Sequence, residues 1–192
     1  MNIKEKYSII SIIGPHAGET NAKIIRRKID DISKSGVTFW LIRSYYARPD
    51  MVRDICVEAK REGNSIYCYF IEPSSLGGAS PTKTCCSAKM YSTDKIHWSE
   101  LPEGLTLVTG KIDRNAYALV FDEIRLSSGA LDLWTYVNFF DQSMPLRIRQ
   151  GGSTVCAVKR HDNQLLTGRM KSRFRNTIAV GRLREPFGVW LK

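Results

Sequence analysis

YSIISII (residues 7–13), GPHAGET (14–20), NAKIIRRKIDDISKSG (21–36) and VTFWLI (37–42) follow one another near the start of a 192-residue chain. The first run is apolar and β-branched, as a buried strand requires. Gly14 and Pro15 end it. The third run places Ala22, Ile25, Ile29 and Ile32 at helical spacing, with Thr20 or Gly18 as cap before it and Gly36 as C-cap after it. The fourth is apolar without polar alternation and reads as a second buried strand.

Further along, Arg48, Pro49 and Asp50 open a second helix that turns Met51, Val52, Ile55, Cys56 and Ala59 inward and closes at Gly63. A third strand follows at residues 65–71 (SIYCYFI). Strand, helix, strand, helix, strand predicts parallel pairing, because a crossover helix returns each strand in the same direction. The expected fold class is therefore α/β, with a Rossmann-like or flavodoxin-like βαβαβ region over residues 1–100.

Residues 101–192 read as a mainly β, hairpin-rich, basic region sharing one core with the first. Residues 105–112 and 116–124 (AYALVFDEI) read as strands, the latter central in a sheet. Residues 130–140 (ALDLWTYVNFF) have Leu133, Trp134 and Val137 at helical spacing and predict a short helix. The last quarter reads as hairpins built from LRIRQ, STVCAVKR, QLLTGRMK and NTIAVGRL, with Gly151-Gly152 and His161-Asp162-Asn163 as turns.

Composition excludes wholesale disorder and fibrous architecture, since 43% of residues are apolar and 25% charged. No apolar run reaches the roughly 18 residues of a membrane span, and the start carries no cleavable-signal pattern. The five cysteines are odd in number and show no zinc spacing, which predicts reduced thiols and a cytoplasmic location.

The net charge of +10 is unevenly placed. Residues 145–192 hold eleven Lys and Arg against Asp162 and Glu185, a balance of +9 that leaves +1 for residues 1–144. Such an asymmetry points to an anionic partner. Within it, Arg169, Lys171, Arg173 and Arg175 alternate with Met170, Ser172 and Phe174. In an extended chain all four cations share one face at about 6.6 Å spacing, a row suited to a nucleic-acid backbone. Arg147 and Arg149 repeat the alternation, so these six residues form the expected nucleic-acid-binding surface. A solvated or aggregation-resistant sheet face is the competing interpretation.

Three further patterns bear on chemistry. Gly14 to Thr20 lies between a strand and a helix, where amides and the helix dipole can hold phosphate, but Glu19 stands where a phosphate loop needs lysine. In a parallel sheet the strand ends converge, gathering Gly14, His16, Gly18, Glu19, Thr20, Glu72, Ser74 and Ser75 into a candidate ligand site. Asp122 and Glu123 end an apolar strand and are candidate metal ligands, which would make Mg²⁺ or a nucleotide the cofactor. Pro49-Asp50 and Glu58-Ala59-Lys60 match the letters of a nuclease signature, yet that chemistry needs strand geometry and this segment has helical period.

Two functions follow as expectations: nucleic-acid binding through the basic β-rich region, and, alternatively, an enzyme or sensor for a nucleotide or small phosphorylated ligand at the strand ends. An oligomerising component that meets acidic protein partners is a third reading of the charge.

Overall fold

The computed structural model describes residues 5–14, 19–42, 47–72, 88–105, 116–140, 155–160 and 174–192. Its strands are β1 (Tyr7–Ile12), β2 (Thr38–Ile42), β3 (Tyr67–Ile71), β4 (Met90–Ser92), β5 (Ser99–Glu100), β6 (Tyr117–Leu126), β7 (Ala130–Asp132), β8 (Tyr136–Asn138), β9 (Val155–Arg160) and β10 (Phe174–Leu191). The helices are α1 (Asn21–Ser35) and α2 (Pro49–Arg61). Both end as their sequences dictate. The Thr20 hydroxyl accepts from the Lys23 N–H, and Gly36, at φ 71°, donates its N–H to the Ile32 carbonyl at 2.8 Å.

The expected Rossmann-like or flavodoxin-like fold is not the one formed. The strands join one mixed ten-stranded sheet whose main order is β2-β6-β10-β3-β1-β9-β8. Among the described strands only β1 and β3 pair in parallel, and the other pairings are antiparallel. Tracing the main order, β1, β3, β6 and β8 run one way while β2, β9 and β10 run the other.

The correction has a geometric cause. β10 and β6 insert between β3 and β2, so α1 carries the chain sideways instead of returning it beside its start. A 15-residue helix spans about 22 Å, and the four strand spacings from β1 to β2 span about 19 Å, so α1 has the length for this crossing. β1 therefore ends, and β2 begins, at the same end of the sheet, called the exit end below.

Residues 130–140 are the second correction. They form β7, a 3-10 turn (Leu133–Thr135) and β8 rather than a helix. Leu131, Leu133 and Tyr136 all bury against the sheet, which a short irregular ribbon achieves as well as a helical stripe. Of the other expected strands, residues 116–124 are matched by β6 from Tyr117 onward, STVCAVKR supplies β9, and NTIAVGRL lies within the 18-residue β10. LRIRQ and QLLTGRMK lie outside the described residues, as does most of 105–112.

Both faces of the sheet are covered. On the helix side Ile9, Cys68, Phe70, Leu119 and Phe121 pack with Ile25, Val52 and Ile55. On the other, Ile10, Tyr69, Val158 and Val180 meet Leu131, Leu133 and Tyr136, while Ala118, Val120 and Val189 meet Tyr91 and Leu101.

The central strand β10 is small where its neighbours are large. Above Ala179 and Gly181, the rings of Trp40, Phe70 and Phe121 close over the strand, with centroids 4.4 Å apart for Trp40–Phe70 and 5.7 Å for Phe70–Phe121. A Cβ on Gly181 would stand 2.8 Å from Phe121 Cδ1. Gly181→Ala is expected to cost about 1–3 kcal/mol by overpacking, read as a lower urea midpoint at unchanged m-value.

Candidate nucleic-acid interface at the exit end

At the exit end, the Ile13 N–H donates to the Ile71 carbonyl at 3.0 Å, so Gly14 and Glu72 leave the parallel pair side by side. Glu72 is then tied to β10. Its N–H donates to the Asn176 carbonyl at 3.0 Å, and the Asn176 side-chain amide donates to Glu72 Oε2 at 2.9 Å. β10 begins just beyond, where Phe174, Arg175 and Asn176 pair with Asp132, Leu131 and Ala130 of β7. β6 finishes at Leu126, opposite Ala179, and β8 runs into Phe139 and Phe140 at this same end.

The topology thus unites residues that the sequence had assigned to separate sites. Gly14, Glu72 and Arg175 are placed at the exit end, with Glu19 and Thr20 at the start of α1. His16, Gly18, Ser74, Ser75, Arg147, Arg149, Arg169, Lys171 and Arg173 lie outside the described residues. In the chain, Gly14 and Glu19 bracket the first of these segments and Glu72 precedes the second. Phe140 and Val155 bracket that of Arg147 and Arg149, and Phe174 directly follows Arg173.

Glu19 and Glu72 at this end, and Asp122 and Glu123 farther back along β6, level with Tyr67 at the start of β3, are engaged by neighbours. Arg27 donates to both Glu19 oxygens, at 3.2 and 2.7 Å, across one face of α1. Asp122 and Glu123 are turned to the same partner by a β-bulge. Between the pairs Arg182–Glu123 and Leu183–Phe121, β6 has one more residue than β10, and the extra one is Asp122. Phe121 and Ile124 stay in the helix-side core, while Arg182 Nε donates to Asp122 Oδ1 at 2.9 Å and Arg182 Nη1 lies 3.6 Å from Glu123 Oε2. That shared cation competes with metal ligation. Among the described residues no three His, Cys, Asp or Glu gather into a metal-holding group.

Behind this end, α1 is fixed to β2 by a charge pair that helical periodicity does not disclose. Lys28 and Asp31 are buried, their side chains 6% and 3% exposed. Lys28 Nζ donates to Asp31 Oδ2 at 3.2 Å and to the Phe39 carbonyl at 2.7 Å, and the Thr38 hydroxyl donates to Asp31 at 2.9 Å. Burial pulls Lys28 down to about 8, against the opposing attraction of Asp31.

Cations and apolar groups remain exposed at the exit end. Arg125 is exposed and Arg175 partly so, and neither forms an ion pair among the described residues. The first turns of α1 add exposed Lys23 and Arg26. Three of the five exposed large apolar side chains among the described residues are here: Phe174 at 59%, Leu126 at 64% and Phe140 at 37%. Arg125, Leu126 and Phe140 were not singled out from sequence. The only trace of them there is polar–apolar alternation continuing past Asp122-Glu123, which any half-exposed strand shows.

Other groups raised by the sequence have structural roles. Pro49-Asp50 and Glu58-Ala59-Lys60 lie on α2, with Asp50 paired to Arg48, Glu58 to Arg61 and Lys60 to Glu185. The thiols of Cys56 and Cys68 are buried and pushed up by desolvation, which makes them unreactive. Cys85 and Cys86 lie outside the described residues. His97 belongs to the hairpin at the opposite end of the sheet. There its ring, together with the N–H groups of His97 and Ile96, holds Asp94 well below the usual carboxylate range. No helix among the described residues is long and apolar enough to cross a membrane. The chain matches no protein-family model, and no curated protein or solved structure matches it.

Proposed function

We propose that this protein is nucleic-acid-associated and meets the polyanion with the exit end of its sheet. The observation that carries the reading is the imbalance there. At that end Glu19 and Glu72 are each engaged by a neighbouring side chain, whereas Arg125 and Arg175 form no ion pair among the described residues, and the chain's most basic segment runs directly into Phe174. The expected surface of Arg147, Arg149, Arg169, Lys171, Arg173 and Arg175 belongs to the same proposal, in a cytoplasmic setting consistent with the buried free thiols.

A nucleotide or other small phosphorylated ligand at Gly14 to Thr20 is the weaker reading. Glu19 sets a carboxylate beside the α1 N-terminus, where a phosphate would bind, and Arg27 already uses its charge for that carboxylate.

Fluorescence anisotropy of a labelled oligonucleotide against salt tests the proposal. Each phosphate neutralised contributes about 0.9 to the slope of log affinity against log salt for duplex DNA and about 0.7 for a single strand. Arg125→Ala with Arg175→Ala should lower that slope by up to about 2 on duplex and weaken all sequences alike. An unchanged slope in the double variant, or heat from a nucleotide but none from any oligonucleotide in calorimetry, removes the proposal in favour of the small ligand.

A further inference from the structure

The start of β10 carries different chemistry on its two faces. Arg175 pairs directly with Leu131 and so projects from the same face, and Leu131 is buried in the core on the side away from the helices. Arg125 pairs with Val180 and shares that face, because Val180 is in the same core. Phe174, one residue before Arg175, projects from the opposite face and is 59% exposed. It makes no ring contact with another described residue, although rings such as Phe39, Phe70 and Tyr117 are paired within the core. An exposed phenylalanine at a strand terminus forgoes the stabilisation that burial of its ring would contribute, and its free ring offers a flat apolar face to a partner.

We infer that the nucleic acid bound at this end is single-stranded, with a base stacked on Phe174 and its phosphates on Arg175 and Arg125. The inference rests on the nucleic-acid reading above and narrows it. An extended single strand projects bases and phosphates in different directions and can engage both faces of the ribbon. A duplex keeps its bases stacked inside and offers phosphates alone, so it would leave Phe174 unused.

The test measures anisotropy with labelled single-stranded DNA, single-stranded RNA and duplexes of the same sequence, for the full chain and for Phe174→Ala, Phe174→Trp and Arg175→Ala. One stacked base is worth about tenfold in affinity. Phe174→Ala should weaken single-strand binding by about that factor at unchanged salt slope and leave duplex binding where it was. Phe174→Trp should retain tight binding, and Arg175→Ala should reduce the single-strand slope by about 0.7. The contrast between the DNA and RNA strands identifies which of the two is preferred. Equal losses on single strand and duplex with Phe174→Ala, or no loss on either, overturn the single-strand inference while the nucleic-acid reading stands. Absence of binding to every oligonucleotide at low salt overturns both. Circular dichroism melting should show an unchanged melting temperature for Phe174→Ala, since the side chain lies on the surface.

Discussion

Lys28→Met is expected to destabilise the fold by about 3–5 kcal/mol, because it leaves Asp31 as a buried carboxylate without its ammonium partner. Lys28→Met combined with Asp31→Leu should regain most of that loss, since a buried ion pair replaced whole by apolar groups is often neutral. The deficit of the single variant should also depend on pH. Lys28 titrates at about 8 in the folded chain against an ordinary value of 10.5, so between these values the unfolded chain binds more protons. The lysine's contribution to stability is then complete above about 10.5 and is lost as pH falls through about 8. Relative to the parent, Lys28→Met should therefore fall further behind as pH rises from 8 to 9.5, with a limiting slope near 1.4 kcal/mol per pH unit. The comparison must be made between the two proteins. Buried phenols and thiols, among them Tyr136 pushed up to about 12 by desolvation, lower the stability of both as pH rises past their unfolded values. Chemical denaturation at a series of pH values reads the difference, and a deficit that shrinks over this range would contradict the assignment.

Phe70→Ala should cost about 3–5 kcal/mol. The ring is fully buried and reaches from β3 over the small residues of β10 to Trp40 of β2 and Phe121 of β6, so removing it opens a cavity spanning four neighbouring strands. Trp40 is only partly buried and loses its closest aromatic neighbour, so its fluorescence should shift to longer wavelength before global unfolding. A variant within 1 kcal/mol of the parent would mean that the rings do not close over β10 as described.

The local elements were legible in the sequence because each carries its own signal. Residues 7–13, 37–42 and 65–71 are dense in β-branched and aromatic side chains, and β1, β2 and β3 fall within them. The cap positions of α1 follow from Thr20 and Gly36. Its buried face was only half legible, because Ala22 is exposed and the helix instead buries Ile24, Ile25, Lys28 and Asp31. A Lys and an Asp three residues apart ordinarily mark a solvated face, and nothing local shows that Thr38 and the Phe39 carbonyl wait to receive them.

The topology was not legible for a related reason. Parallel pairing follows from alternating strands and helices only when no later strand intervenes, and here β6 and β10 lie far along the chain from the strands they separate. β10 also hides its span, since Arg184, Glu185, Pro186 and Phe187 interrupt its pairing with β6 between Leu183 and Gly188 and read locally as a turn. At the candidate interface, Arg175 was visible as part of an alternating basic row. The pairing of Asp122 and Glu123 with Arg182 depends on a bulge that only the register reveals.

The central claim, that the exit end of the sheet is the nucleic-acid surface, is tested most directly by mapping contacts on the intact protein. Ultraviolet crosslinking to a single-stranded oligonucleotide, followed by mass spectrometry of the attached peptides, should label peptides containing Phe174, Arg175, Arg125 or Phe140. It should leave α2 and the hairpin carrying Ile96 and His97 at the far end unlabelled. Crosslinks confined to α2 or to that hairpin, with none at the start of β10, would contradict the account.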